Sequence, residues 1–103
     1  MMAYTVAITS SVTRPLEKLP RDIRMALFER IASLADDPFR PGVEKVTGVK
    51  HGYRVREADY RIAYLILGEK TVLVAKVGHR SEVYKHVVAE LNKAAAKWRK
   101  QSR

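Results

Sequence analysis

The sequence predicts one α+β domain over residues 1–103: an N-terminal strand, a two-helix hairpin, antiparallel sheet strands and a C-terminal helix. Three observations support this fold class. Apolar residues alternate with polar ones at the N-terminus, recur at helical spacing in two longer segments, and alternate again in a strand-rich stretch between those segments. A chain of 103 residues has the size of one domain and can bury a core without disulfides or metals.

The first third of the chain predicts a strand followed by two helices. Residues 4–8 alternate as a strand does, and the small polar residues at 9–13 break that pattern. Thr13 is a candidate N-cap for a short helix with Pro15 near its first turn. Residues 20–36 then have the helical period. Their apolar stripe consists of Ile23, Leu27, Ile31 and Leu34.

The middle of the chain predicts the sheet. After a loop with two prolines, residues 43–49 form a weak strand candidate, and residues 53–57 and 60–67 form a hairpin around a two-residue turn. Because 60–67 is apolar on both sides, we expect that strand in the middle of the sheet. Residues 71–77 are the last strand, and an amphipathic helix follows over about 81–98. The apolar stripe of this helix consists of Tyr84, Val87, Val88, Leu91, Ala94, Ala95 and Trp98.

The hairpin brings arginines together. With a two-residue turn, Arg56 faces Arg61, and alternation places Arg54 on the same side of the sheet. Like charges placed opposite each other destabilise a sheet, so this arrangement favours a face that binds a polyanion. The alternative is a solvated surface network in which Glu57 and Asp59 neutralise the arginines, although alternation sends Glu57 to the other face.

The last strand extends this cluster. Pairing it antiparallel to residues 60–67 brings Arg61 close to Lys76 or Val77, and His79 and Arg80 then emerge at the same end of the sheet. An imidazole titrates near neutral pH, which makes His79 a candidate for proton transfer.

The composition indicates the kind of partner. Lys and Arg number 20 against 11 Asp and Glu, a formal net charge of +9, which favours a negatively charged partner such as nucleic acid. With no cysteine, disulfides and thiolate metal sites are excluded. We find neither a signal peptide nor a membrane-spanning segment, so we expect a cytoplasmic protein without a membrane partner.

The residue types fit cleavage of RNA. Clustered arginines bind phosphate and stabilise charge that develops on it, and the 2′-hydroxyl of RNA is an internal nucleophile, so we expect no metal or other cofactor. Arginine stays protonated and is a poor base, which leaves Tyr84 or His79 to transfer protons. Lys76 and Lys85 lie nearby in the sequence. Periodicity alone slightly favours the alternative for Tyr84, a core position on the last helix.

Two motifs carry a resemblance to a known family. The first combines residues 53–56 (Tyr-Arg-Val-Arg) with residues 59–64 (Asp-Tyr-Arg-Ile-Ala-Tyr), and the second is residues 77–84 (Val-Gly-His-Arg-Ser-Glu-Val-Tyr). With the order of the elements, they resemble the RelE/ParE superfamily, the toxins of type II toxin–antitoxin modules. The resemblance covers nearly the whole chain.

The resemblance to RelE implies a ribosome-dependent, metal-independent endonuclease that cuts mRNA and inhibits translation. In RelE-type members the site consists of basic residues on the two central strands, an arginine after the last strand and a tyrosine opening the final helix. Those roles fall on Arg54, Arg56, Arg61, Arg80 and Tyr84. Arginine stands at 54 and 56 where the type member has lysine, so the proton acceptor is open between Tyr84 and His79. The RNA-binding set is completed by Lys76 and Lys85.

The same resemblance implies partners and alternatives. A cognate antitoxin would wrap and neutralise the toxin, and the toxin–antitoxin complex would bind operator DNA. The ParE branch shares the fold but is associated with DNA gyrase, so inhibition of gyrase is the second hypothesis. A third is a non-catalytic, basic nucleic-acid-binding partner of an antitoxin that acts in autorepression.

Overall fold

The computed structural model describes residues 3–101, with the backbone alone described at residues 83–85. The order of elements is the one that the sequence predicted. The elements are β1 (Thr5–Ile8), α1 (Ser10–Glu17), α2 (Arg21–Ser33), β2 (Glu44–Lys45), β3 (Gly52–Glu57), β4 (Tyr60–Leu67), β5 (Thr71–His79) and α3 (Arg80–Gln101).

The strands of the described residues form one five-stranded sheet in the order β1-β5-β4-β3-β2. β1 runs parallel to β5, and the other neighbours are antiparallel. β4 lies in the middle, as its two apolar sides predicted, and its residues Ile62, Ala63, Tyr64 and Leu65 have no exposed surface. The mixed α+β fold class is therefore confirmed.

One face of the sheet, the back face, is covered by α1 and α2. Leu27 and Ile31 of the predicted stripe on α2, with Val12 and Leu16 of α1, are buried in one cluster with the back-face side chains. Those side chains are Val55, Ile62, Tyr64, Val72, Val74 and Val77. Successive strand residues point to opposite faces, so the residues between them belong to the other face.

The opposite, or front, face is covered by α3. Val87, Leu91 and Ala95 of its predicted stripe are buried in a second cluster with the sheet, whereas Val88 is 39% exposed. The front-face side chains in this cluster are Ala63, Leu65, Leu67, Leu73 and Ala75. Gly68, in the turn after β4, has a φ of +59°, and a Cβ there would lie 3.2 Å from the Trp98 ring, so glycine suits this turn.

α1 begins earlier than predicted. It starts at Ser10 rather than near Thr13, after a Thr9 that is extended at φ −72° and ψ 154° and donates its N–H to the Val74 carbonyl at 3.1 Å. The reason is tertiary: Val12 and Leu16, one helical turn apart, both gain burial against the sheet. Pro15 therefore lies inside α1, where its ring is exposed.

Other boundaries also differ from the prediction. Leu34, Ala35 and Asp36 donate their N–H groups to carbonyls three residues back, so the predicted end of α2 is a tightened turn after Ser33. β2 is only two residues long, and Val46 and Val49, which follow it, are buried in the cluster with α3. β5 runs two residues further than predicted, and α3 extends to Gln101.

No helix among residues 3–101 combines the length and the hydropathy that a membrane crossing requires.

Candidate nucleic-acid interface

Four basic residues occupy the end of the front face nearest the β3–β4 turn. The observed register pairs Arg56 with Arg61 directly, as the two-residue turn predicted. In the neighbouring row, Ala63 pairs with Arg54 on one side and Lys76 on the other. We call these four residues, Arg54, Arg56, Arg61 and Lys76, the basic patch. The Cα atoms of the four residues lie in two adjacent rows that run across neighbouring strands. Their side chains therefore project from the same face of the sheet.

A β-bulge in β5 decides which residue of β5 joins the patch. Tyr64 pairs with Val74 but Ala63 pairs with Lys76, so Ala75 is an extra residue. Arg61 therefore lies opposite Gly78, one residue beyond the predicted Lys76 or Val77. The extra residue also reverses the alternation, which sends Val77 into the back core and Lys76 to the front face.

Arg54 has an acidic neighbour, Glu44, that the sequence pattern did not indicate. The Nε atom of Arg54 lies 3.5 Å from Oε1 of Glu44, which is the residue paired with Arg54 across β2 and β3. The arginine side chain is 25% exposed and the glutamate 67% exposed, so the pair contributes little stability. The signal in the sequence was only a glutamate in a weak strand candidate.

Arg61 and Arg80 are held by backbone contacts at the hairpin. Nη1 of Arg61 donates to the Tyr60 carbonyl at 3.3 Å. The backbone N–H of Arg80 donates to the Asp59 carbonyl at 2.8 Å, which ties the first residue of α3 to the β3–β4 turn. Arg80 thus stands at the same end of the sheet as Arg56 and Arg61, as predicted, and its side chain is exposed.

His79 stands at that end of the sheet but on the other face. It pairs with Tyr60, and the two rings meet edge to face with centroids 5.8 Å apart. Nδ1 of His79 lies 3.1 Å from Oγ of Ser81, and the residue lines a cleft with Leu16 of α1 and with Leu19, which follows that helix. The sequence predicted His79 beside the arginines, but the alternation of β5 turns its imidazole away from the basic patch.

Two predicted site residues, Tyr84 and Lys85, have side chains that lie outside the described residues. Their backbone belongs to the first two turns of α3. Arg80 and Tyr84 are four residues apart in this helix, a spacing that places two positions on one helical face.

Comparison with known proteins identifies the class. Residues 6–84 match the model of the family described as ParE toxin of type II toxin-antitoxin system, parDE. Among curated proteins, Toxin RelG of Mycobacterium tuberculosis is 34% identical over 82% of this chain and 99% of its own length. Toxin RelE of the same organism is 32% identical over 80% of this chain and 87% of its own length.

Solved structures agree with the sequence relatives. A free-state variant of Escherichia coli RelE with two arginine-to-alanine substitutions superposes with a TM-score of 0.72 at 25% identity, covering 90% of this chain and 98% of its own. The RelBE2 toxin–antitoxin complex of Mycobacterium tuberculosis matches with a TM-score of 0.64 at 32% identity, over 75% of this chain and 98% of the matched one. The chain therefore belongs to the RelE/ParE superfamily and is a toxin of the type II toxin–antitoxin class.

Proposed function

We propose that the protein is an endoribonuclease of the RelE type that cuts mRNA on the ribosome without a metal ion and so inhibits translation. The observation that carries the proposal is the register, which brings Arg54, Arg56, Arg61 and Lys76 to one end of one sheet face. Placing Arg56 opposite Arg61 costs stability in the free protein. A bound phosphate backbone offsets this cost.

The proposed reaction uses the substrate's own nucleophile. The 2′-oxygen attacks the adjacent phosphorus as its proton is removed, the bond from phosphorus to the 5′-oxygen breaks, and that oxygen takes up a proton. The products carry a 2′,3′-cyclic phosphate and a 5′-hydroxyl, so atoms and charge balance without a co-reactant. We assign Arg61 and Arg80 to the charge that develops on the phosphoryl oxygens. Arg54, Arg56, Lys76 and Lys85 hold the RNA backbone.

Proton transfer is assigned to Tyr84. Guanidinium groups stay protonated near neutral pH, so the arginines of the patch cannot act as bases. Since the imidazole of His79 contacts Tyr60 on the back face, away from the basic patch, we assign this role to Tyr84 rather than to His79. The tyrosine opens α3, which the bond from Arg80 to Asp59 anchors at the hairpin.

The proposed partners are a cognate antitoxin, mRNA and the ribosome, in the cytoplasm. The support for an antitoxin is that relatives were solved as RelB–RelE complexes, including one from Pyrococcus horikoshii at 28% identity and a TM-score of 0.69. The complex with the antitoxin would bind operator DNA, and the antitoxin would be the product of a neighbouring reading frame.

The experiment that tests the site removes one guanidinium at a time. Arg61→Ala and Arg80→Ala should each reduce cleavage of ribosome-bound mRNA about 100-fold or more, because each group stabilises the transition state. Cleavage is measured by mapping transcript ends after induction, together with growth arrest. Arg40→Ala is the matched control, since Arg40 is an exposed arginine in the loop after α2. Full activity of both site variants would refute the assignment.

Inhibition of DNA gyrase is the second candidate, because the matching family model carries the ParE description. The same induction experiment separates the two. Codon-positioned cuts in mRNA support the nuclease, whereas DNA damage with intact transcripts supports the gyrase inhibitor.

A further inference from the structure

An apolar groove lies on the back face between α2 and the β3–β4 turn. Its floor consists of Ile23, Ala26 and Leu27 of α2 together with Tyr60. Two adjoining clefts share lining residues with it and extend it along the hairpin end of the sheet, one past Ser33 and one past His79.

Carboxylates surround this groove. Asp22, Glu57 and Asp59 line it, and the adjoining clefts add Glu29 and Glu82. Arg30 is the one lysine or arginine among the lining residues of the three clefts. Among the described side chains, which exclude those of residues 83–85, the ion pair that is seen joins Arg54 to Glu44 and involves none of these five carboxylates.

The groove contrasts with the rest of the molecule. The chain has a net charge of +9, yet here acidic groups border a groove whose apolar side chains Ile23, Ala26 and Tyr60 are partly exposed. A nucleic acid is repelled from such a rim, and a second copy of a chain with charge +9 is repelled by the whole molecule. The complementary ligand is a peptide segment whose apolar residues are flanked by lysine or arginine.

We infer that this groove binds a basic, apolar segment of the antitoxin. The inference rests on the antitoxin proposed above but not on the nuclease activity. Glu57 projects to the groove and its neighbour Arg56 to the basic patch, so the two sites lie back to back on β3. A segment bound in the groove anchors the antitoxin beside the patch and leaves the patch for a separate, acidic segment.

The test compares two triple variants that change the net charge equally. The groove variant is Asp22→Asn with Glu57→Gln and Asp59→Asn. The control variant is Asp36→Asn with Glu69→Gln and Glu90→Gln, which lie outside the groove. Binding to the purified product of the neighbouring reading frame should weaken at least about tenfold for the groove variant and less than about threefold for the control. Growth arrest by the groove variant expressed alone should equal that of the wild type.

Two further measurements keep the test independent of folding losses. Ala26→Arg fills the floor of the groove and adds a cation there while every carboxylate is kept. This variant should weaken antitoxin binding as the groove variant does. In the wild type, antitoxin binding should slow amide hydrogen exchange at the start of α2 and at the β3–β4 turn.

Three results would overturn the inference. One is equal antitoxin affinity for the wild type and both triple variants. Another is unchanged exchange at the groove when antitoxin is bound. The third is a dimer of the toxin alone that the groove variant converts to monomer, which would make a second copy the occupant. Failure of the wild type to bind would instead refute the proposed antitoxin itself.

Discussion

Tyr64 shows how a single residue joins the sheet to the loop after α2. The side chain has no exposed surface, and its hydroxyl donates a hydrogen bond to the Pro38 carbonyl. Burial raises the pKa of Tyr64 well above its ordinary value, because the phenolate would be stripped of water. The buried hydroxyl thus fixes the position of the loop that leads into β2.

Removing that hydroxyl should destabilise the fold. We expect Tyr64→Phe to lower the free energy of unfolding by about 1–2 kcal/mol, since the Pro38 carbonyl loses a buried donor. Urea denaturation at neutral pH measures this difference. Tyr53→Phe is the control, because Tyr53 is the partner of Tyr64 in the register and is only half-buried.

The raised pKa of Tyr64 also predicts the direction in which the stability of the fold changes with pH. The contribution of the neutral phenol to stability is complete below the unfolded pKa of about 10 and is lost as pH rises beyond it. Stability of the wild type should therefore fall between about pH 10 and 11 more steeply than that of Tyr64→Phe. Parallel curves for the two proteins would contradict the assignment.

At the scale of an element, β5 determines the composition of the basic patch. A regular strand would have placed Lys76 on the back face and Val77 on the front. The bulge at Ala75 exchanges them, so the charged side chain faces the patch and the apolar one is buried.

The exchange predicts that substitutions at two neighbouring positions will lower the free energy of unfolding by very different amounts. Val77→Lys should destabilise the protein by about 3 kcal/mol or more, since it places an unpaired charge among the back-face side chains. Lys76→Val should change stability by less than about 1 kcal/mol. Urea denaturation of both variants tests the register, and a regular strand would give the reverse ranking.

At the scale of the whole molecule, charge is separated between two faces at one end of the sheet. The front face carries the basic patch and the back face the acidic groove, with β3 contributing Arg56 to one and Glu57 to the other. The four cations of the basic patch therefore lie on the face of the sheet opposite the acidic rim of the groove.

This separation predicts the salt dependence of RNA binding. If the four residues of the basic patch contact phosphates, the affinity for a single-stranded RNA should fall with salt at a logarithmic slope of about −3. Arg56→Ala should reduce the slope to about −2, whereas Arg14→Ala, an exposed arginine on α1, should leave it unchanged. Fluorescence anisotropy over a salt series provides the measurement. An equal slope for all three proteins would contradict the patch as the RNA contact.

Much of the molecule follows from local pattern. The alternation around Ala58 and Asp59 predicts the hairpin register that pairs Arg56 with Arg61, because the side-chain period of a strand is two and the turn is two residues long. The two helical stripes include the buried side chains Leu27 and Ile31 of α2 and Val87, Leu91 and Ala95 of α3, whereas Val88 of the second stripe is exposed. These signals are local, so the sequence was sufficient to predict them.

Other features depend on residues distant in the sequence. The burial of Val12 against the sheet decides where α1 begins, and the bulge at Ala75 decides that Lys76 rather than Val77 joins the patch. Neither the start of α1 nor the bulge produces a periodic pattern in the sequence, because each depends on packing between separate elements. The sequence by itself determined the fold class, the family and the arginines of the hairpin. Only the tertiary structure decided the face of Lys76 and His79 and assembled the acidic groove, since side-chain direction depends on strand pairing.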